Sequence, residues 1–213
     1  MFSSPKRPEI DDGTIKLLVG VIAITLASLT SSFSSEPLNS ISASYFEDGW
    51  SRNFFVGFLF AISAFMLAYN GESRKEMFSS KLAAVAAFGV AMFPCSCGGH
   101  IEVIPYVHYI SAAIMFSILS YFCFIFYKRA KSKGHAQAIR RSYIYSICGV
   151  VIISSMAIMA IDYLTQGELS AVIHRLTFYC EGSGLIAFGI SWLTASKVLP
   201  IISAIKERHR PFA

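Results

Sequence analysis

Long apolar runs broken by short polar stretches organise this chain. Six runs stand out, at about 15–33, 53–69, 82–93, 104–127, 143–164 and 172–196. Several approach or exceed the roughly 18 residues that a membrane-spanning helix requires. Lipid offers the backbone no hydrogen-bond partners, so each run is expected to be a helix, which satisfies its own. The expected fold class is all-α: a polytopic membrane protein with a six-helix transmembrane bundle over 15–196. Tails at 1–14 and 197–213 flank it, with Pro5, Pro8, Pro200 and Pro211 arguing against long helices there. The third run is the shortest. Its Ala83, Ala84, Ala86, Ala87, Gly89 and Ala91 allow neighbouring helices to approach closely. The polar stretches at 70–81 and 128–141 are expected to be basic loops, and 165–171 a tight turn.

Charge adds an orientation. Only 15% of the 213 residues are charged, against 54% hydrophobic, where a soluble domain carries roughly a quarter charged. The net charge of +5 is not read as a nucleic-acid surface, because no zinc-finger, glycine-loop or RNA-binding signature accompanies it. It is read as topology. With six spans, 16 of the 18 lysines and arginines fall on one side, including Lys6, Arg7 and Arg210; Arg52 and Arg175 alone fall on the other. Basic residues favour the cytoplasmic side, so both termini are expected there. Membrane lipids are the expected partners. A homo-oligomer stays open, and no nucleic acid is expected.

Polar residues on the other side carry the candidate chemistry. In the last run, VIHRLTFYCEGSGLIAFGISWLTAS, His174 and Glu181 fall on one face at about 100° per residue. Glu181 lies about 14 Å in from the outer end of that run, near the middle of a core about 30 Å thick. A charge there costs at least about 3 kcal/mol unless paired, hydrated or protonated. Glu181 should therefore face the bundle interior, either carrying a proton or binding a ligand, or bonding a neighbouring helix. Arg175 is expected to form a structural rim pair with Asp162. His108, His174 and Glu181 are acceptable metal ligands, but no HxxxH or HExxH spacing supports them, so no cofactor is expected. Cys95 and Cys97 form a CxC whose ring would be tight, and free thiols are the expectation.

The segments ISASYFEDGWSRNFFVGFLFAISAFMLAYNG (41–71), Phe93–Pro94, HYISAAIMF (108–116), YSICGVVI (145–152) and FYCEGSGLIAFGISWL (178–193), in that order, resemble a group of uncharacterised bacterial six-span membrane proteins. More distantly the chain is similar to the DRAM-type membrane family, which is linked to autophagy and, in one branch, to remodelling of lipid-anchored proteins. The resemblance implies a bacterial plasma membrane and marks Arg52, His108 and Glu181 as the polar members of the motifs. It brings no activity. Where an acidic residue is expected after Arg52 the chain has Asn53, and Asp48 is the nearby alternative partner.

Together these readings favour a non-enzymatic membrane protein. An outward-facing polar pocket holding Arg52, His108, Glu181 and His174 would bind or move a small molecule, lipid headgroup or proton. A lipid-modifying hydrolase, with or without a metal, is the first alternative. A structural, signalling or pore-forming protein is the second.

Overall fold

A computed structural model describes residues 11–101 and 104–209. Lys6, Arg7, Arg210 and the tail prolines Pro5, Pro8 and Pro211 lie outside the described residues. The described residues are helical, with no strand: α1 (Asp12–Ser32), α2 (Trp50–Ala68), α3 (Arg74–Met92), α4 (Val107–Lys133), α5 (Ala136–Leu164), the short α6 (Glu168–Val172) and α7 (Leu176–Ala195). Short 3₁₀ turns cover Ser42–Phe46 and Ile205–Glu207.

Four of the helices, α1, α2, α4 and α5, are long and apolar enough to cross a membrane. Helices α3 and α7 have 19 and 20 residues, enough for about 30 Å at 1.5 Å per residue. They are less apolar for identifiable reasons. The first two turns of α3 carry Arg74, Lys75, Glu76 and Lys81, and α7 carries Glu181 among glycines and serines.

Each long helix packs on its neighbour in sequence, and α7 closes the ring against α1. The closing contact needs glycine on both sides. A Cβ on Gly20 would stand 2.9 Å from the Gly189 carbonyl oxygen, and one on Gly189 would stand 2.7 Å from that of Gly20. Two backbones this close leave no room for a side chain. In α3 the residues Ala83, Ala84, Ala86, Ala87 and Ala91 are buried, which lets α2 and α4 pack tightly on it. Trp192 fills the middle, wholly buried against Tyr69, Phe122 and Phe188. Large apolar side chains such as Ile147, Val150 and Ile153 of α5 point outward, as a lipid-facing surface would require.

Several boundaries differ from the sequence reading. The stretch 70–81 is not a loop, because α3 begins at Arg74. Ser73 accepts a hydrogen bond from the Glu76 amide, and Glu76 Oε2 accepts one from the Glu72 amide at 3.0 Å. This is an S-x-x-E start: Ser73 satisfies one of the amides that a helix end leaves unpaired, and Glu76 reaches back to the residue before the cap. The basic stretch 128–141 is also helical. Only Gly134 and His135 separate α4 from α5, with Gly134 left-handed at φ 70°. In the supposed turn 165–171, α6 begins at Glu168. Cys95 and Cys97, expected as free thiols, are joined in a disulfide.

The chain after α7 folds back under the end that carries α1's start. Arg141 Nη1 donates to the Ile202 carbonyl at 2.8 Å, and His209 Nε2 lies 3.1 Å from Asp11 Oδ1. We call this the terminal end. The loops between α1 and α2, α3 and α4, and α5 and α7 form the opposite, loop end.

Candidate functional site

The site at the loop end is built on an inserted segment. Leu38, Ser40, Ile41, Ser42 and Ser44 are all buried, so the connection between α1 and α2 enters the ring as a plug. Buried backbone must find partners, and α7 supplies them. The Phe178 amide donates to the Asn39 carbonyl at 3.0 Å, and Arg175 Nε donates to the Leu38 carbonyl at 2.7 Å. Glu181, on the second turn of α7, receives the start of the 3₁₀ turn. Its Oε2 accepts from the amides of Ile41 at 2.6 Å and Ser42 at 3.3 Å. The amides at the start of a helical turn form a cradle for an anion.

The second carboxylate oxygen begins a chain of side chains. Ser42 Oγ lies 3.0 Å from Glu181 Oε1 and 3.1 Å from His108 Nε2. His108 is buried near the start of α4, with Nδ1 2.8 Å from the Phe93 carbonyl oxygen. Phe93 is the residue that ends α3. The plug, α7 and α4 thus meet at one hydroxyl, and His108 ties α4 on to the end of α3.

This geometry restricts the protons. A carbonyl only accepts, so His108 Nδ1 carries hydrogen. Ser42 has one hydrogen for two neighbours. If it donates to Glu181, the carboxylate is ionised and His108 Nε2 must donate to Ser42, making an imidazolium. If it donates to His108 Nε2, the imidazole is neutral and Glu181 must be protonated to donate to Ser42. The two arrangements differ by shifting one proton along Glu181–Ser42–His108, and the trio keeps the same net charge in both.

Beside the trio lies a cavity of about 30 Å³, lined by Ser42 and Glu181 and by apolar residues including Phe55, Leu59, Met115 and Phe116. That volume admits about two waters.

Of the four candidate residues, the structure brings together His108 and Glu181 and separates the other two. Arg52 is exposed and lies over the Tyr45 ring at 4.9 Å. It forms no ion pair with Asp48 among the described residues. His174 is exposed and precedes α7. The expected single helix is broken by Arg175, which is left-handed at φ 60°, so His174 does not share a face with Glu181. For the same reason Glu181 sits about 8 Å into its helix, closer to the loop end than the uninterrupted run implied.

The rim pair is also corrected. Asp162 Oδ1 accepts from the Ser170 amide at 2.8 Å, fixing the α5–α6 turn. Arg175 instead serves the plug and lies over Phe178 at 4.3 Å, with its Nη2 buried and without a hydrogen bond. Among the described residues no group of three or more His, Cys, Asp or Glu side chains is placed to hold a metal ion. His108 and Glu181 meet through Ser42 rather than at a shared point, so the weak metal set of His108, His174 and Glu181 is not assembled.

Ser42, the bridging residue, was missed in the sequence. It is one of several serines in a polar stretch, and nothing in ISASYF separates it from Ser40 or Ser44. No family model, curated protein or solved structure matches this chain.

Proposed function

We propose that the chain is a six-span integral membrane protein of a bacterial plasma membrane, with both termini cytoplasmic, that takes up and hands on a proton through Glu181, Ser42 and His108. The observation that carries this reading is the single hydroxyl within hydrogen-bond distance of both a carboxylate and an imidazole. Orientation rests on charge. The terminal end holds the lysines and arginines of α3, α4 and α5, while the loop end holds Glu36, Glu47, Asp48 and Glu168. Basic residues favour the cytoplasm, which supports an outer-half position for the proton chain.

Cavity size favours the smallest of the candidate cargoes. Ligand sites usually enclose roughly 300 Å³ or more, about ten times the space beside Glu181. Water and a proton fit there; a lipid headgroup or metabolite would require the plug to withdraw. Purified protein in vesicles loaded with a pH-sensitive dye tests the reading under an imposed potential. The wild type should acidify the lumen faster than empty vesicles, and Glu181→Gln and Ser42→Ala should slow this at least about tenfold, the scale of one lost charge-assisted hydrogen bond. Flux no greater than in empty vesicles, or flux unchanged in both variants, would overturn it.

One observation favours a second reading, a lipid hydrolase. Ser42 Oγ and His108 Nε2 are 3.1 Å apart, within the reach of a nucleophile and its base. Two features count against it. The Ile41 and Ser42 amides, the natural donors for an oxyanion, are taken by Glu181. The carboxylate meets the hydroxyl, whereas an orienting acid would sit on the far imidazole nitrogen. Covalent labelling of Ser42 by a fluorophosphonate, abolished in His108→Ala, would establish the hydrolase instead.

A further inference from the structure

The terminal end holds a second cavity, unconnected with the proton chain. Glu181 and Ala195, which line the two cavities, are about 20 Å apart along α7. This cleft has a volume of about 40 Å³. Five cations line it: Lys16 of α1, Arg129 and Lys133 of α4, Arg141 of α5, and Lys197 just past α7.

The cations divide by partner. Arg129 is committed to Glu76 at 2.6 Å and Glu72 at 3.0 Å. Arg141 and Lys133 share Glu207, at 2.7 and 2.5 Å. Lys16 and Lys197 are the two cations of the cleft that bond no carboxylate among the described residues. Neither forms an ion pair among the described residues. Lys16 is 8% exposed, its ammonium set 5.1 Å from the Tyr69 ring and 5.7 Å from that of Phe126. Asp12, one turn earlier on the same helix, is the carboxylate that attracts Lys16 most, without forming an ion pair with it. Ring faces offset only part of the cost of burying a charge. Lys197 adopts a left-handed backbone at φ 60°, a position that follows helices usually as glycine. Burial, with Lys133 and Arg141 beside it, pushes its ammonium below the ordinary lysine range. Tyr145, 4% exposed, also lines the cleft and makes no hydrogen bond among the described residues.

We propose that this cleft binds a phosphate group, with Lys16 and Lys197 as its counter-charges and the Tyr145 hydroxyl as a donor. Two ammonium groups without a bonded carboxylate suit a phosphomonoester, which carries about −1.5 to −2 at neutral pH. Lysine ammonium groups bind phosphate as point charges. The group comes either from an anionic lipid at the headgroup level or from a phosphate in the surrounding water.

The full-length protein in nanodiscs of phosphatidylcholine separates these sources. Its Tm is measured against inorganic phosphate, and again with phosphatidic acid added to the disc. A saturable rise in Tm with either probe, absent with sodium chloride at equal ionic strength, is expected, and the effective probe identifies the source. Lys16→Gln and Lys197→Gln should each weaken the response about tenfold, the scale of one charge-assisted hydrogen bond. Lys206→Gln, an exposed charge on the same face, should leave it unchanged. Tyr145→Phe keeps every charge and should also weaken the response, which covers a lysine variant that fails to fold. No rise with either probe, or the same rise in every variant, would overturn the proposal.

Discussion

The two ends of the ring solve the same problem in opposite ways. Each must place polar groups where water is scarce. At the loop end the trio of Glu181, Ser42 and His108 keeps the same net charge whichever way its proton sits, and its hydrogen bonds run to the plug's amides and to the Phe93 carbonyl at the end of α3. At the terminal end, ionised groups pair across α3, α4, α5 and the C-terminal strap, and two lysines remain over. A balanced, closed chain suits movement of a proton. A cleft with two lysines that bond no carboxylate suits capture of an anion. Position on the ring matters less here than whether the charges cancel.

The largest effect is expected where a buried ion pair is broken. Glu76 is fully buried and holds both Arg129 and the Tyr69 hydroxyl, the latter at 2.5 Å. Glu76→Ala should cost about 3–5 kcal/mol, because it takes away the buried partner of Arg129, leaving only the exposed Glu72, and orphans the Tyr69 hydroxyl, and should lower the Tm in detergent accordingly. A near-wild-type Tm would mean that the terminal network contributes little.

Next comes Glu181→Ala. It leaves the amides of Ile41 and Ser42 without partners, and orphaned buried donors cost about 1–3 kcal/mol each. We expect a loss of about 2–4 kcal/mol in thermal unfolding. Amide exchange should rise at 38–46 and stay unchanged at the strap; a uniform rise would show that the two ends are one cooperative unit.

Reduction of the Cys95–Cys97 disulfide is a smaller perturbation of the loop end. So short a ring removes little chain entropy, about 1.5 kcal/mol on the loop-closure estimate. The Tm difference between reduced and oxidised protein measures it. A loss as large as that of Glu181→Ala would move the anchor of the loop end to the disulfide.

The smallest effect is local and set by pH. Lys133 and Arg141 hold the Glu207 carboxyl at about 2, below its ordinary 4.5. A depressed carboxyl stabilises the docked strap above pH 4.5 and loses that contribution as pH falls from there towards 2. Amide exchange over 198–209 should rise across that window, and Glu207→Gln should show the acid-side exchange already at neutral pH. A flat profile would release Glu207 from the strap.

Some errors in the sequence reading were avoidable. Ser73 and Glu76 spell a helix start, and the stretch 70–81 was read through them as a loop because its charges outweighed the spacing. The left-handed Arg175 was harder to foresee, since an arginine carries no signal for that conformation. It cost the reading both His174 and the Asp162–Arg175 pair. Arg52 was marked by the resemblance, yet a guanidinium at a helix start reaches water or a ring face as readily as a buried partner. His108 and Glu181 were legible because imidazole and carboxylate are rare in apolar runs.

Sequence alone determined the helical class, the four strongly apolar helices and the crowding of basic residues at one end. Each follows from local composition, since a backbone without water must pair within its own helix. Tertiary structure decided that the ring closes at Gly20 and Gly189, that residues 38–46 turn inward, and that Ser42 stands between Glu181 and His108. Those outcomes join residues far apart in the chain. They depend on which backbones can touch and which buried groups find partners, and no local pattern encodes either.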